Sequence, residues 1–197
     1  MGRLIVVAGG SRSGKSAYAE QWVKEYGAES NVFYVATGYH TFQKTKPVDG
    51  EFAGEELVDT EFAERIAKHR QRRPQEWTTI EEPCELPQVL ENTAAVREGE
   101  SVYLIDGIGT WIANLMYMKE VHTEDVCRGY AEQLLAACET ISGVVVAVAD
   151  EVGMDVVPEH REGRIFRDLN GMVNQMLAAR ATEVYFVVCG LPVKIKG

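Results

Sequence analysis

The run Gly9-Gly10-Ser11-Arg12-Ser13-Gly14-Lys15-Ser16 constrains this chain more than any other segment. It spells a glycine, four residues, then Gly-Lys-Ser. Its flanks give that spacing a purpose. Leu4-Ile5-Val6-Val7-Ala8 precedes it as a short apolar, β-branched run, the pattern of a buried parallel strand. Ala17, Tyr18, Ala19, Trp22 and Val23 follow at helical spacings. A strand, a glycine-rich loop and a helix in that order make a phosphate cradle. The glycines let backbone N–H groups curl around phosphate oxygens, and the helix N-terminus adds a field that favours the anion. Lys15 can reach the β- and γ-phosphates and the Ser16 hydroxyl can ligate Mg²⁺. The chain is therefore expected to bind a nucleoside triphosphate with Mg²⁺.

Further apolar runs recur at Val32–Ala36, Val102–Ile105, Val144–Ala149 and Val184–Val188, each followed by a polar or glycine-containing turn. The stretches between them mostly read as helices. Alternating strands and helices predict an α/β domain over 1–197, a mostly parallel sheet flanked by helices, with its site at the carboxyl ends of the strands. Residues 40–58 read as a long polar surface excursion. Trp77–Pro87 breaks the rhythm again, with room for an edge strand at 77–81. The formal charge of −10 argues against a general nucleic-acid binder, though a nucleotide needs only a local cradle. Four cysteines without a C-x-x-C pair, and no export signal, point to reduced thiols in the cytoplasm. No segment approaches the length that spans a bilayer.

Asp106 closes the run Val102–Ile105, where an acid in a phosphate-loop protein holds Mg²⁺ directly or through water. Asp59–Pro74 reads as a helix, with Asp59 as N-cap, Pro74 as stop and Glu61/Arg65 and Glu64/Lys68 as i,i+4 pairs. Phe62, Ile66 and His69 share one stripe, and Arg72 and Arg73 lie a helical turn beyond His69. That pattern suits a partly buried histidine beside a solvated basic patch. The sharper alternative is a histidine nucleophile with cations ready for the phosphate it attacks. Asp150-Glu151, ending another strand, can orient a substrate hydroxyl or the metal. His40, His122 and His160 show no metal-ligand spacing. Phe166, Leu169, Val173, Met176 and Leu177 form the core stripe of a helix around 164–180. On these residues alone a small-molecule kinase with a structural His69, or a nucleotide-dependent binding switch, stays open.

A longer set of motifs narrows this. It comprises Tyr34-Val35-Ala36-Thr37; Asp59-x-Glu61 leading into Arg65-Ile66-x-x-His69-Arg70-x-x-Arg73-Pro74; Trp77-x-Thr79; Ile105-Asp106; and Trp111-x-x-Asn114-Leu115. It continues with Glu151-Val152-Gly153-Met154, Val157-Pro158, Phe166-Arg167-Asp168, Gly171, Asn174-Gln175 and Gly190-Leu191-Pro192. With the phosphate loop, these resemble the bifunctional adenosylcobinamide kinase/adenosylcobinamide-phosphate guanylyltransferases of cobalamin biosynthesis, nearly end to end. The resemblance implies a RecA-like phosphate-loop fold assembled as a homotrimer. It implies phosphorylation of adenosylcobinamide by ATP or GTP, then transfer of GMP from GTP through a histidine–GMP intermediate on His69. The family's nucleotide contacts fall on Gly9–Ser16, Thr37, Gly38, Tyr39, Arg70, Gln71, Arg72, Arg73, Glu81 and Asp106. Lys15 is expected to take up charge on the transferred phosphate in the kinase step, with Ser16 and Asp106 holding Mg²⁺, while His69 serves the guanylyl step. The chain departs from the family's usual pattern in its longer 40–58 excursion, in Asp150 where Asn is common and in Asp155 where glycine is usual.

Overall fold

The computed structural model describes residues 2–27, 31–38, 74–96 and 99–197. Their strands are β1 (Arg3–Gly9), β2 (Asn31–Ala36), β3 (Thr78–Glu81), β4 (Ser101–Asp106), β5 (Gly143–Asp150), β6 (Glu183–Val188) and β7 (Leu191–Lys196). The helices are α1 (Lys15–Tyr26), α2 (Leu86–Val96), α3 (Ile108–Met118), α4 (Glu124–Thr140) and α5 (Arg161–Arg180). The strands form one sheet in the order β3-β2-β4-β5-β1-β6-β7. Every pairing is parallel except β6 with β7.

Alternation along the strands explains why both faces are covered. Ile5, Val7, Val102, Leu104, Val144, Val146 and Val148 pack with Ala19 and Val23 of α1 on one face. Leu4, Val6, Tyr103, Ile105, Val145 and Ala147 pack with α3, α4 and α5 on the other. Strands buried on both sides have no polar positions to spare, which is why they read as continuous apolar runs. Each fully buried aliphatic side chain contributes roughly 1.5–3 kcal/mol, so Ile5→Ala at the sheet centre would cost about 2–5 kcal/mol.

The expected strands are all present, each extended by a residue or so, and the edge strand at 77–81 is β3. The helix at 164–180 begins earlier, at Arg161, and buries Leu169, Val173 and Leu177. After β3 the chain turns through Glu82, whose Oε1 accepts from the N–H groups of Cys84 (2.8 Å) and Glu85 (2.9 Å) just ahead of α2. Pro87 lies inside the first turn of α2 rather than closing a connection. A missing N–H costs nothing in that turn. The Trp111 indole donates to the Cys84 carbonyl at 2.7 Å, tying α3 to this corner.

β7 lies where no strand is expected from the residues. Pro192, Lys194 and Lys196 interrupt its apolar run. Proline and lysine are what an exposed edge strand carries. The excursion at 40–58, His40 and the expected helix at 59–74, Pro74 aside, lie outside the described residues, as do Tyr39, His69, Arg70, Gln71, Arg72 and Arg73.

Candidate active site at the carboxyl edge of the sheet

β1, β4 and β5 are neighbours in the sheet, so their carboxyl ends bring the phosphate loop, Asp106 and Asp150 together. The loop leaves β1 at Gly9, and Gly14 sits at φ 95°, a left-handed conformation that turns the chain into α1. The Ser13 N–H donates to the Gly10 carbonyl at 3.2 Å, and the Ser13 carbonyl accepts from the Gly190 N–H at 2.9 Å. The hairpin between β6 and β7 thus braces the loop from outside. Arg12 and Ser11 are exposed on the loop.

Period-two alternation puts Asp106 on the same face as Leu104, the face that α1 covers. Ser16, in the first turn of α1, therefore meets it, and its hydroxyl donates to Asp106 Oδ1 at 3.1 Å. Tyr34, two residues from the end of β2, sends its phenol up the same face to Oδ2 at 2.5 Å. Lys15 lies 2.7 Å from Asp150 Oδ1 and donates to the Gly10 carbonyl at 3.1 Å. Asp150, on the same face as Val148, is held through its backbone: its carbonyl accepts from Asn170 Nδ2 (2.7 Å) and Asn174 Nδ2 (2.9 Å).

Thr37 is fully buried. Its hydroxyl donates to the Gly107 carbonyl and accepts from the Gly107 N–H, both at 2.8 Å, fixing the chain just after Asp106. Asn114 Nδ2 donates to the carbonyls of Thr37 (2.8 Å) and Pro83 (3.0 Å), so α3 holds the ends of β2 and β3 side by side. Gly38 follows half-buried, and Glu81 ends β3 exposed on the same edge. The Glu151 N–H donates to the Gly9 carbonyl at 2.9 Å, while its carboxylate accepts from Gly153 N–H at 2.6 Å within its own loop.

The donor set suits a metal-bound phosphate. A hydroxyl and a carboxylate at Ser16 and Asp106 are hard oxygen ligands of the kind Mg²⁺ takes. Ser13 Oγ is buried in the loop with no partner among the described residues. No group of three or more His, Cys, Asp or Glu residues among the described residues is placed to bind a metal by itself.

The family model described as cobinamide kinase / cobinamide phosphate guanyltransferase matches residues 5–195. The chain belongs to this cobinamide kinase/guanyltransferase family. It is 37% identical to the bifunctional adenosylcobalamin biosynthesis protein CobU of Escherichia coli K12, over 98% of this chain and 99% of that protein. It is 35% identical to the bifunctional adenosylcobalamin biosynthesis protein CobP of Pseudomonas aeruginosa, over 98% and 96% of the respective chains. Among solved structures, an ATPase domain superposes with TM-score 0.51 at 12% identity, covering 93% of this chain and 68% of its own. A Pyrococcus horikoshii protein does so with TM-score 0.55 at 7% identity, covering 100% and 86%. These likenesses show the fold, a RecA-like phosphate-loop α/β architecture.

For this family member, the structure joins Lys15, Ser16, Asp106 and Asp150 at one edge and sets Glu151 beside them. It also adds residues the sequence reading gave no role: Tyr34, Asn114, Asn170 and Asn174. Each is a polar residue on an otherwise apolar stripe, and the two α5 asparagines are four apart on one helical face. That displacement of polarity into an apolar pattern was the available signal.

Proposed function

We propose that this cobinamide kinase/guanyltransferase family member phosphorylates the hydroxyl on the aminopropanol arm of adenosylcobinamide with ATP or GTP, then transfers GMP from GTP to that phosphate. The observation that carries the reading is the contact of Ser16 and Lys15 with acids from two neighbouring strands, in a chain the family model matches from residue 5 to 195. Lys15 would take up charge on the transferred phosphoryl group, and Ser16 and Asp106 would hold Mg²⁺. The metal, when bound, neutralises developing charge between the phosphates.

In the guanylyl step His69 Nε2 or Nδ1 attacks the α-phosphorus and pyrophosphate leaves. Arg70, Arg72 and Arg73 stabilise the added negative charge. The substrate phosphate then displaces the histidine, dividing one transfer into two easier steps. Gly9–Ser16, Thr37, Gly38, Tyr39, Gln71 and Glu81 complete the nucleotide site in this reading, with Asp150 and Glu151 toward the substrate. Support for His69, Tyr39 and residues 70–73 comes from the sequence motif. Homotrimeric assembly and cytoplasmic residence belong to the same reading.

Mass spectrometry of the protein after GTP and Mg²⁺ tests it. A GMP-sized increment on the peptide carrying His69, lost in His69→Ala while phosphorylation of cobinamide continues, is the expected result. Phosphorylation with no covalent label from α-labelled GTP would make the chain a kinase alone. Slow GTP hydrolysis indifferent to corrinoid would make it a switch.

A further inference from the structure

Lys15 is the cation a phosphate entering the loop must engage, and in this fold it has an anionic partner of its own. Its ammonium lies 2.7 Å from Asp150 Oδ1, with the lysine side chain 12% and the aspartate side chain 34% exposed. The pair is therefore half-sheltered rather than a solvated surface contact, and water screens it less than it would an exposed one.

Asp150 is held on three sides. Its place in β5, opposite Gly9 of β1, fixes its distance from the phosphate loop. Two carboxamides from α5, Asn170 and Asn174, grip its carbonyl oxygen. Gly109, in the first turn of α3, lets the carboxylate lie so close that a Cβ there would stand 2.4 Å from Oδ2. The N-terminal turn of a helix is a favourable place for that negative charge. One oxygen faces α3, the other faces Lys15, and the backbone is pinned from behind.

We propose that Asp150 is an internal anion that competes with the nucleotide's phosphates for Lys15, and so sets how tightly the loop holds tri- and diphosphates. This rests on the reading of the loop as the nucleotide site. Capture of a phosphate requires Lys15 to be shared with, or released from, Asp150. It also brings phosphate charge up to a carboxylate whose backbone is pinned beside the loop. Both effects loosen binding, and both act at the β- and γ-phosphates, which are within reach of Lys15. When the terminal phosphoryl group departs with the substrate, Asp150 re-engages the ammonium and the diphosphate is released more readily. Asp150 is thus a positioning residue acting through Lys15. Weaker ground-state binding of this kind favours turnover over retention.

The experiment measures the affinity of Mg²⁺ with a non-hydrolysable GTP analogue, and separately with GDP, for the full chain by calorimetry. The proteins are wild type, Asp150→Asn, Lys15→Ala and the double variant. Asp150→Ser, measured the same way, replaces Asp150→Asn should the amide variant not fold. Asp150→Asn is expected to bind the analogue and GDP about tenfold more tightly. Non-additivity in the cycle assigns the effect to the pair, so the gain should vanish in the Lys15→Ala background. Unchanged or weaker binding by Asp150→Asn overturns the proposal. So does a gain that persists without Lys15, since it would come from the general field. Undiminished binding by Lys15→Ala would overturn the phosphate-loop reading itself, a separately recognisable failure.

Discussion

The phenol of Tyr34 donates to Oδ2 of Asp106 at 2.5 Å, leaving Oδ1 facing the Ser16 hydroxyl. A buried tyrosine thus sets the rotation of the carboxylate that would hold the metal. Tyr34→Phe keeps the ring against Trp77, whose ring centroid is 6.4 Å away, and removes the donor alone. Loss of a partner behind a metal ligand typically costs roughly 10–100-fold in affinity or activity. The expected outcome is a fall of about tenfold in kcat/KM for both transfers, partly restored by raised Mg²⁺, with about 1–3 kcal/mol lost from urea-unfolding stability. Steady-state assays across a Mg²⁺ series check it.

Gly109→Ala tests the close approach of α3 to β5. The new Cβ would stand 2.4 Å from Asp150 Oδ2 and 3.0 Å from its Cβ, so the aspartate must move. Helix propensity alone would make this change stabilising by roughly 0.5–1 kcal/mol. Overpacking of about 1–3 kcal/mol is expected to win, lowering the thermal midpoint by several degrees. Calorimetric melting of the variant decides the sign.

Thiol chemistry should separate one cysteine from the rest. Cys84, Cys127 and Cys138 are buried and Cys189 is exposed. Burial pushes the Cys127 thiol up to about 11 and the Cys138 thiol to about 12, and raises Cys84 as well. Only the thiolate reacts, so these stay inert near pH 8. A disulfide reagent is expected to titrate Cys189 quickly and the other three only as the protein unfolds. A second fast equivalent in the folded protein would contradict this.

Glu183 gives a pH signature. The Tyr185 hydroxyl donates to its Oε2 at 2.5 Å and Lys194 lies 3.0 Å from the same oxygen. These contacts, with Arg3 at 2.8 Å from Oε1, hold the carboxyl below its usual range. A depressed folded-state pKa stabilises above the unfolded value, about 4.3 for glutamate, and the gain is lost as pH falls through the folded value. Glu183→Gln should therefore melt below wild type at pH 7. The gap should narrow progressively below about pH 4.3, the unfolded glutamate value. Melting curves from pH 7 to 3 measure the gap directly.

Much of this was legible in the residues. Leu4–Ala8 and Val144–Ala149 announce central strands because burial on both faces leaves no polar alternation, and the glycine spacing after β1 announces the cradle. Asp106 is readable as an acid at the carboxyl edge of the sheet because it ends such a run. The contacts that position it are not. Tyr34 is a strand-former whose hydroxyl finds a partner only through the register of β2 against β4. Asn114 and the pair Asn170/Asn174 reach backbone carbonyls on distant strands, and only the strand order fixes those neighbours. β7 escaped because an edge strand satisfies half its hydrogen bonds with water and so tolerates Pro192, Lys194 and Lys196.

Strand order also sets a timetable for synthesis. Both neighbours of β1 are made late, β5 from Gly143 and β6 from Glu183, and the brace on Ser13 comes from Gly190. A nascent chain still missing these segments carries the phosphate-loop motif but has nothing to pair its first strand against. Closure of the phosphate loop therefore follows synthesis of β6 and Gly190, and the newborn apolar strand must wait for partners that lie far from it along the chain.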